Sequence, residues 1–241
     1  MQYLDLTLHT PAENLALDEA LLEEAEAADR PIETLRLWEP LQNMVVVGRS
    51  SKIDVEVNTR ACRELGIPVL RRISGGAAVV CGPGCFMYSL VLSVEHRTPL
   101  RAVDTAHCFV LGTLAKGLSP LADGNVHCQG TSDLVVGQWK FSGNSVRLRR
   151  RHLLYHGTLL LDFPLELIAQ CLAMPPRQPD YRKGREHGDF VKNLAADRSE
   201  VRTALIKAWE ADRNRTDWPK QDVERLVRQR YALDAWNQRG R

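Results

Sequence analysis

The chain has 241 residues, of which 44% are hydrophobic and 26% charged, and its formal net charge is +2. That is enough chain to bury a full core, and too little charge for general binding to nucleic acid or membrane surfaces. It has no apolar run of the ~18 residues that a membrane-crossing helix needs. Residues 1–10 lack the basic start and apolar core of a signal peptide, so a cytoplasmic location is expected.

Taken in chain order, Thr10, Pro11 and Glu13 form a capping-box pattern with proline at the first helical position. It predicts a helix over 11–28, with Leu17 and Leu21 inward and Glu23, Glu24 and Glu26 facing water. Strands are expected over 34–38 and 43–47. Asn58 can cap a short helix that ends at Gly66. A strand over 67–71 leads into the Gly75-Gly76 turn, and short apolar runs follow at 77–81 and 86–93. Residues 102–118 read as a helix. The period then changes to two, with strands over 132–136, 139–145 and 153–161 and a Gly137-Gln138 hairpin turn. Pro164 opens a helix to about residue 172. Residues 175–193 read as a long functional loop, and helices over 199–213 and 220–233 follow. Strands interrupted by helices, antiparallel late in the chain, predict an α+β domain.

Three segments carry candidate chemistry. In Arg71-Arg72-Ile73-Ser74-Gly75-Gly76-Ala77-Ala78-Val79-Val80, a strand ends in two arginines and a glycine turn. Glycines let a ligand approach the backbone, exposed N–H groups can cradle an anion, and arginine adds bidentate donors. The same pattern also suits a tight hairpin with two solvated arginines, and it is neither a P-loop nor a Rossmann fingerprint. In the strand around Lys140, simple alternation puts Lys140, Ser142 and Asn144 on one face, opposite Trp139, Phe141 and Gly143. A lysine beside small polar groups can hold an anionic intermediate, or it can sit on a wet face. His156 stands inside an apolar strand, where it is a satisfied core residue or a ligand contact, and Gly157 beside it suggests close approach.

Cys62, Cys81, Cys85, Cys108, Cys128 and Cys171 are scattered, which favours reduced thiols. Cys81 and Cys85 lack the second pair of ligands that a zinc site needs. Arg147, Arg149, Arg150 and Arg151 form a basic run that reads as a solvated hairpin tip. Such a run can also meet phosphates or an acidic protein surface.

In order and spacing, the chain resembles the lipoate–protein ligase family, which shares a fold with biotin–protein ligases and lipoyl/octanoyl transferases. The resemblance lies in residues 14–22, in Arg71 to Val79, in Ser132-Asp133-Leu134 with Lys140-Phe141-Ser142-Gly143-Asn144-Ser145, and in His156-Gly157-Thr158-Leu159-Leu160. Asp234-Ala235-Trp236-Asn237 resembles the end of that catalytic domain. It implies one catalytic domain over 1–241, with a largely antiparallel mixed sheet flanked by helices, an adenylate-binding loop at about 175–193 and C-terminal helices over about 199–241. It further implies ATP-dependent conversion of lipoate to lipoyl-AMP. Transfer then goes to a lysine of a lipoyl domain, in a 2-oxoacid dehydrogenase E2 subunit or a glycine cleavage H protein. Lys140 would stabilise charge in both steps. Arg72 and Ala77, Ala78, Val79 and Val80 would meet the nucleotide, while Ser74, Gly75 and Gly76 would line the acyl slot. His156 and Gly157 complete the expected binding set. Mg²⁺ is expected with ATP, with Asp133 as a possible contact and no ligand set identified.

The chain departs from the family pattern at Ala77, often glycine there, within Cys81-Gly82-Pro83-Gly84-Cys85, where many relatives carry a histidine followed by an acid, and at Asn144, often serine or another small residue. Some ligases have a further C-terminal domain, so a separate accessory subunit is a possible partner. One alternative is an octanoyl or lipoyl transferase forming an acyl thioester on a cysteine, for which Cys128 is the candidate nucleophile. Others are a biotin–protein ligase, whose glycine loop differs, a non-catalytic lipoate-binding protein, and a nucleic-acid-binding module.

Overall fold

A computed structural model describes residues 1–239; the last two residues of the helical stretch expected over 199–241 lie outside the described residues. The main sheet has eight strands, in the order β11-β1-β2-β6-β10-β9-β8-β7. These are β1 (Gln2–Asp5), β2 (Thr34–Trp38), β6 (Cys85–Ser93), β7 (Val126–Gln129), β8 (Asp133–Val136), β9 (Trp139–Leu148), β10 (His152–Leu160) and β11 (Arg213–Asn214). β1 runs parallel to both β2 and β11, and the other pairs are antiparallel. A second sheet places β3 (Met44–Val47) between β4 (Val69–Arg71) and β5 (Val79–Cys81). Helices flank the sheets, and the fold is α+β.

Period-two alternation sends each strand's side chains to two cores. On one face of the main sheet, Phe86, Tyr88, Leu90, Leu153, Tyr155 and Leu159 pack beneath α4 (Val103–Leu118) and α6 (Arg198–Ala208). On the other face, Val91 and Leu154 pack with α1 (Pro11–Ala27), the small sheet and α7 (Lys220–Leu226). The α1 start is as its residues require. The Thr10 hydroxyl accepts from Glu13 N, and Glu13 Oε2 accepts from Thr10 N at 2.8 Å. Between β3 and β5 lie α2 (Ile53–Glu56) and α3 (Thr59–Glu64), the latter capped by Asn58, and α5 (Glu166–Cys171) follows β10.

Four expectations change. β1, α2, β7 and β11 were not anticipated from residue pattern. The strand expected from residue 77 begins at Val79, because Gly75 to Ala78 remain a loop. The helix expected to reach 213 stops at Ala208, where Glu210 turns left-handed (φ 49°) and the chain joins β1 as β11. The last long helix changes period after Leu226 into a π turn, Val227–Tyr231, that brings both Arg230 and Tyr231 onto Glu19. A short α8 (Asp234–Asn237) closes the described chain.

Candidate active site

Cross-strand pairing lays two rows of side chains across the face that carries α1. The first row is Arg36 on β2, Ser89 on β6, His156 on β10 and Ser145 on β9. The second is Trp38, Met87, Thr158, Gly143 and, on β8, Asp133. Trp38, Met87, Thr158, Gly143 and Asp133 all line one cavity of about 350 Å³. Four strand spacings of ~4.8 Å separate β2 from β8, so this floor is about 19 Å long. It is apolar at Trp38 and Met87, and its Asp133 end also carries the Lys140 ammonium, which suits an extended ligand with an oily tail and an anionic head.

Lys140 reaches the charged end by a change of register. Leu134 pairs with Ser142, but Val135 pairs with Lys140, so one extra residue of β9 is accommodated as a bulge. The expected alternation therefore fails. Lys140 shares a face with Gly143 and Ser145, while Ser142 and Asn144 stand opposite Leu159 and Gly157 on the far side of the strand. The Lys140 stem lies over Gly143, where an added Cβ would sit 3.2 Å from the ammonium. The ammonium pairs with Asp133 Oδ1 at 2.7 Å, and the Tyr181 hydroxyl donates to Asp133 Oδ2 at 2.7 Å. Lys140 keeps 26% side-chain exposure, so its charge faces the cavity without being lost to the interior.

The loop after β4 is held from below. Arg72, buried, spends its donors on backbone carbonyls: Nη1 to Val46 at 3.0 Å, Nη2 to Ala77 at 3.0 Å and Nε to Gly75 at 3.2 Å. Burial pushes its pKa down to about 10. It lines the cavity but acts first as a brace for the loop. Arg71 points the other way, donating to Gly48, Ser51 and the Trp236 carbonyl, which ties α8 to β4. Gly76 adopts φ +86°, and its carbonyl lies 1.9 Å from where a Cβ on Gly48 would be. Both positions require glycine for that reason. Ala77, Ala78 and Val79 line the cavity, whereas Val80 is buried behind them. The Ala78 N–H is already taken by Glu56 Oε2 at 2.7 Å.

A buried polar chain underlies this loop. Ser74 Oγ lies 2.6 Å from His156 Nε2, and His156 Nδ1 lies 3.1 Å from Asp18 Oδ2. A carboxylate can only accept, so Nδ1 carries the proton and Nε2 accepts from Ser74. Asp18 also pairs with Arg36 at 2.7 Å and accepts from Ser89 at 2.7 Å. Burial pushes the Asp18 carboxyl up, but Arg36, His156 and Ser89 outweigh it and hold it below its usual range. Ser74 itself is fully buried, so it positions the loop and is not a reachable nucleophile. Asp18, Arg36 and Ser89 were missed from sequence. Two signals were present: Asn14 and Asp18 one turn apart on the inward stripe of a helix, and an arginine between Leu35 and Leu37.

The segment 175–193 folds over the cavity, with Pro175, Arg177, Pro179, Arg182 and Phe190 among its lining residues. Lys140 N donates to Phe190 O at 3.0 Å, and Lys192 N donates to Lys140 O at 2.9 Å. Arg182 and Arg185 stack on Phe190, 4.6 and 5.1 Å from the ring centre. Gly157 lines the cavity beside His156, and glycine is needed there, since a Cβ would fall 1.9 Å from Asn144 Oδ1, the atom that accepts from the Tyr88 hydroxyl.

The structure does not bring Cys128 to this site. It pairs with Leu134 on β7, on the sheet face that carries α4, and is not among the cavity's lining residues. Cys128 is exposed at the surface of that face, and partial desolvation, then neighbouring Cys108, push its thiol pKa up. Cys81 does line the cavity, but burial raises its thiol well above the ordinary value. Among the described residues, no group of three or more His, Cys, Asp or Glu is arranged to hold a metal ion. Both Asp133 oxygens are committed to Lys140 and Tyr181, so the residues here do not form a Mg²⁺ site.

With this geometry in place, residues 10–208 match the lipoyl protein ligase A/B catalytic domain. The chain belongs to that family. An Aeropyrum pernix protein named for lipoate–protein ligase A is 39% identical over 160 residues, which cover 66% of this chain and 56% of its own length. An octanoyltransferase LipM of Geobacillus kaustophilus is 24% identical, over 98% of this chain and 97% of its own. Among solved structures, a Thermoplasma acidophilum lipoate protein ligase with bound lipoic acid superposes with TM-score 0.81 at 21% identity, covering 98% of each chain. A lipoate–protein ligase A bound with ATP gives 0.76 at 22% identity, covering 100% of each chain. The bipartite T. acidophilum ligase, described with its E2 lipoyl domain, gives 0.75 at 21% identity, covering 100% of this chain and 96% of its own. These superpositions establish the shared α+β fold. No helix among the described residues is long and apolar enough to cross a membrane.

Proposed function

We propose that this member of the lipoyl protein ligase family joins lipoate to a protein lysine through lipoyl-AMP, made from free lipoate and ATP. The observation that carries the reading is the Lys140 ammonium, held by Asp133 at one end of a trough whose other end is Trp38 and Met87. A lipoate carboxylate oxygen attacks the α-phosphorus of ATP, pyrophosphate leaves, and negative charge grows on oxygens near Lys140. The amine of the acceptor lysine then attacks the acyl carbon and loses a proton, and AMP departs. A fixed ammonium in a partly dry site stabilises the charge of both transition states. The Arg72-braced loop supplies the slot wall, and Tyr181 keeps Asp133 aimed at Lys140. The segment 175–193 roofs the adenylate and keeps water from it. No step is routed through Mg²⁺.

Relatives described with lipoic acid, with ATP and with an E2 lipoyl domain support these substrates and an acceptor of that kind. One relative is named as subunit 1 of a ligase, which supports an accessory partner. The full-length similarity to an octanoyltransferase favours a second reading, transfer from a carrier-bound octanoyl group. The position of Cys128 on the opposite sheet face weighs against a thioester there.

Intact mass of an apo lipoyl domain tests the choice. Free lipoate or octanoate would be supplied with and without ATP and Mg²⁺, with octanoyl-carrier protein in parallel. Lipoyl addition that requires ATP supports the ligase reading. Transfer only from the carrier, without ATP, replaces it with the transferase reading.

A further inference from the structure

Two residues beyond Ser145, the cavity face of β9 changes character. Ser145 Oγ donates to Gly75 O at 2.9 Å, which marks the rim of the slot. Arg147 follows on the same face, opposite Leu154, and Arg149 closes the β9–β10 hairpin by donating its N–H to His152 O. Arg49 reaches the same rim from the turn after β3, with its N–H on Ser74 O at 2.8 Å. Arg49, Arg149 and Arg150 are exposed, and Arg147 is half-buried with no hydrogen-bond partner for Nε.

The fold gives these arginines no direct ion-pair partner: among the described residues, none of Arg49, Arg147, Arg149 and Arg150 has a carboxylate within 4.0 Å, whereas exposed Arg60 and Arg198 and half-buried Arg225 each do. The nearby acids are committed elsewhere. Glu19 holds Arg230 and Tyr231, Glu26 accepts from the N–H groups of Arg151 and His152, and Glu95 pairs with Arg151. Burial, and then the charges of Arg49 and Arg149, lower the pKa of Arg147; Glu19 pulls the other way but is held by Arg230 and Tyr231 and does not offset them.

We propose that Arg49, Arg147, Arg149 and Arg150 form a docking ridge for an acidic face of the acceptor domain, the domain whose lysine enters the cavity. Arg147 lies four residues along β9 from Gly143, over which the Lys140 ammonium sits, or about 13 Å at ~3.3 Å per residue. A usual protein interface covers roughly 800 Å² per partner and so spans about 30 Å. A domain that delivers its lysine to Lys140 therefore covers the ridge. The cations steer it in and set its orientation, and acyl-adenylate formation does not involve them.

The proposal rests on the functional reading above, so its test separates the two. Arg149→Glu with Arg150→Glu alters only exposed side chains, and Arg147→Gln is the second variant. Pyrophosphate release from lipoate and ATP, acceptor KM and kcat, and direct calorimetric binding of an apo lipoyl domain would be measured. The double reversal is expected to leave pyrophosphate release and kcat unchanged and to raise acceptor KM about tenfold or more. Raising salt from about 50 to about 300 mM should weaken acceptor binding by the unaltered protein much more than by the variant. Exchanging acidic residues beside the acceptor lysine for lysine should restore binding to the variant. Unchanged acceptor KM and binding in both variants would overturn the ridge. So would a loss confined to carrier-protein donor or to oligonucleotide binding. If pyrophosphate release and acyl transfer were both absent from the unaltered protein, the functional reading would fail, and the calorimetric comparison would still decide the ridge.

Discussion

Lys140 is a surface-strand lysine whose position depends on a bulge, a bare glycine beneath it and Asp133 beside it. Lys140→Ala should lower acyl transfer by about 10²–10³-fold, the usual cost of removing a donor aimed at developing charge. The fold should survive with a modestly lower thermal midpoint, because Asp133 loses its ammonium but keeps the Tyr181 hydroxyl. Steady-state rates beside a melting curve check both. Cys128→Ser should leave transfer from either donor unchanged, since the thiol lies on the other side of the sheet. Abolished activity would reinstate the thioester route. Arg36→Met strands the buried Asp18 carboxylate and should cost about 3–5 kcal/mol in urea unfolding, as for other broken buried pairs. At this scale the sequence was half legible. Lys140, Arg72 and His156 stand in short, unusual neighbourhoods that announce themselves. Asp18 and Arg36 become partners only when α1 lies across β2, a long-range contact that no local spacing encodes.

Turns and register decide what each element presents. Gly84, at φ +95° between β5 and β6, accepts the N–H groups of Leu161 and Asp162, and a Cβ there would lie 2.2 Å from Asp162 O. Gly84→Ala should therefore destabilise by roughly 1–3 kcal/mol, through strain and overpacking together. A lower midpoint in chemical denaturation, with unchanged slope, would report it. Strongly patterned elements such as α1, β2, β9 and β10 were readable from residues alone. β7 was not, because Val126 to Gln129 is a brief edge strand whose neighbours, not its own pattern, make it one. The bulge was invisible for a related reason. Simple alternation assigned Asn144 to Lys140's face, and only pairing with β8 and β10 shows the phase slip.

Across the whole molecule, burial of polar groups sets the pH range of stability. Burial pushes the pKa of His107, which is hydrogen-bonded to Tyr155, below its ordinary 6.5, and does the same to His152 and His187. Below pH 6.5 the unfolded chain takes up protons that the native state refuses, so stability should fall as pH drops from there. Asp18 behaves as a depressed carboxyl. Its contribution is present above 3.8 and is lost as pH falls through its lower native value. Urea midpoints between pH 8 and pH 5 should decline, and His107→Gln, which keeps a partner for Tyr155, should flatten part of the slope. A profile flat to pH 5 would contradict this account. The α+β class was legible from period changes along the chain, whereas the two-sided arrangement of helices was not, because it depends on which strands become neighbours.

The roof segment has a practical consequence. Five of its residues, Arg177, Arg182, Lys183, Arg185 and Lys192, are trypsin targets by type, yet Arg182 is buried and Arg185 is pinned on Phe190. Lys183 stands at the exposed tip, left-handed at φ 51° and followed by Gly184. A protease should therefore nick first after the exposed Arg177 and Lys183, and reach Arg182 and Arg185 only when Phe190 lifts. The ratio of those fragments would serve as a built-in gauge of how often the roof is raised, readable by mass without any assay of turnover.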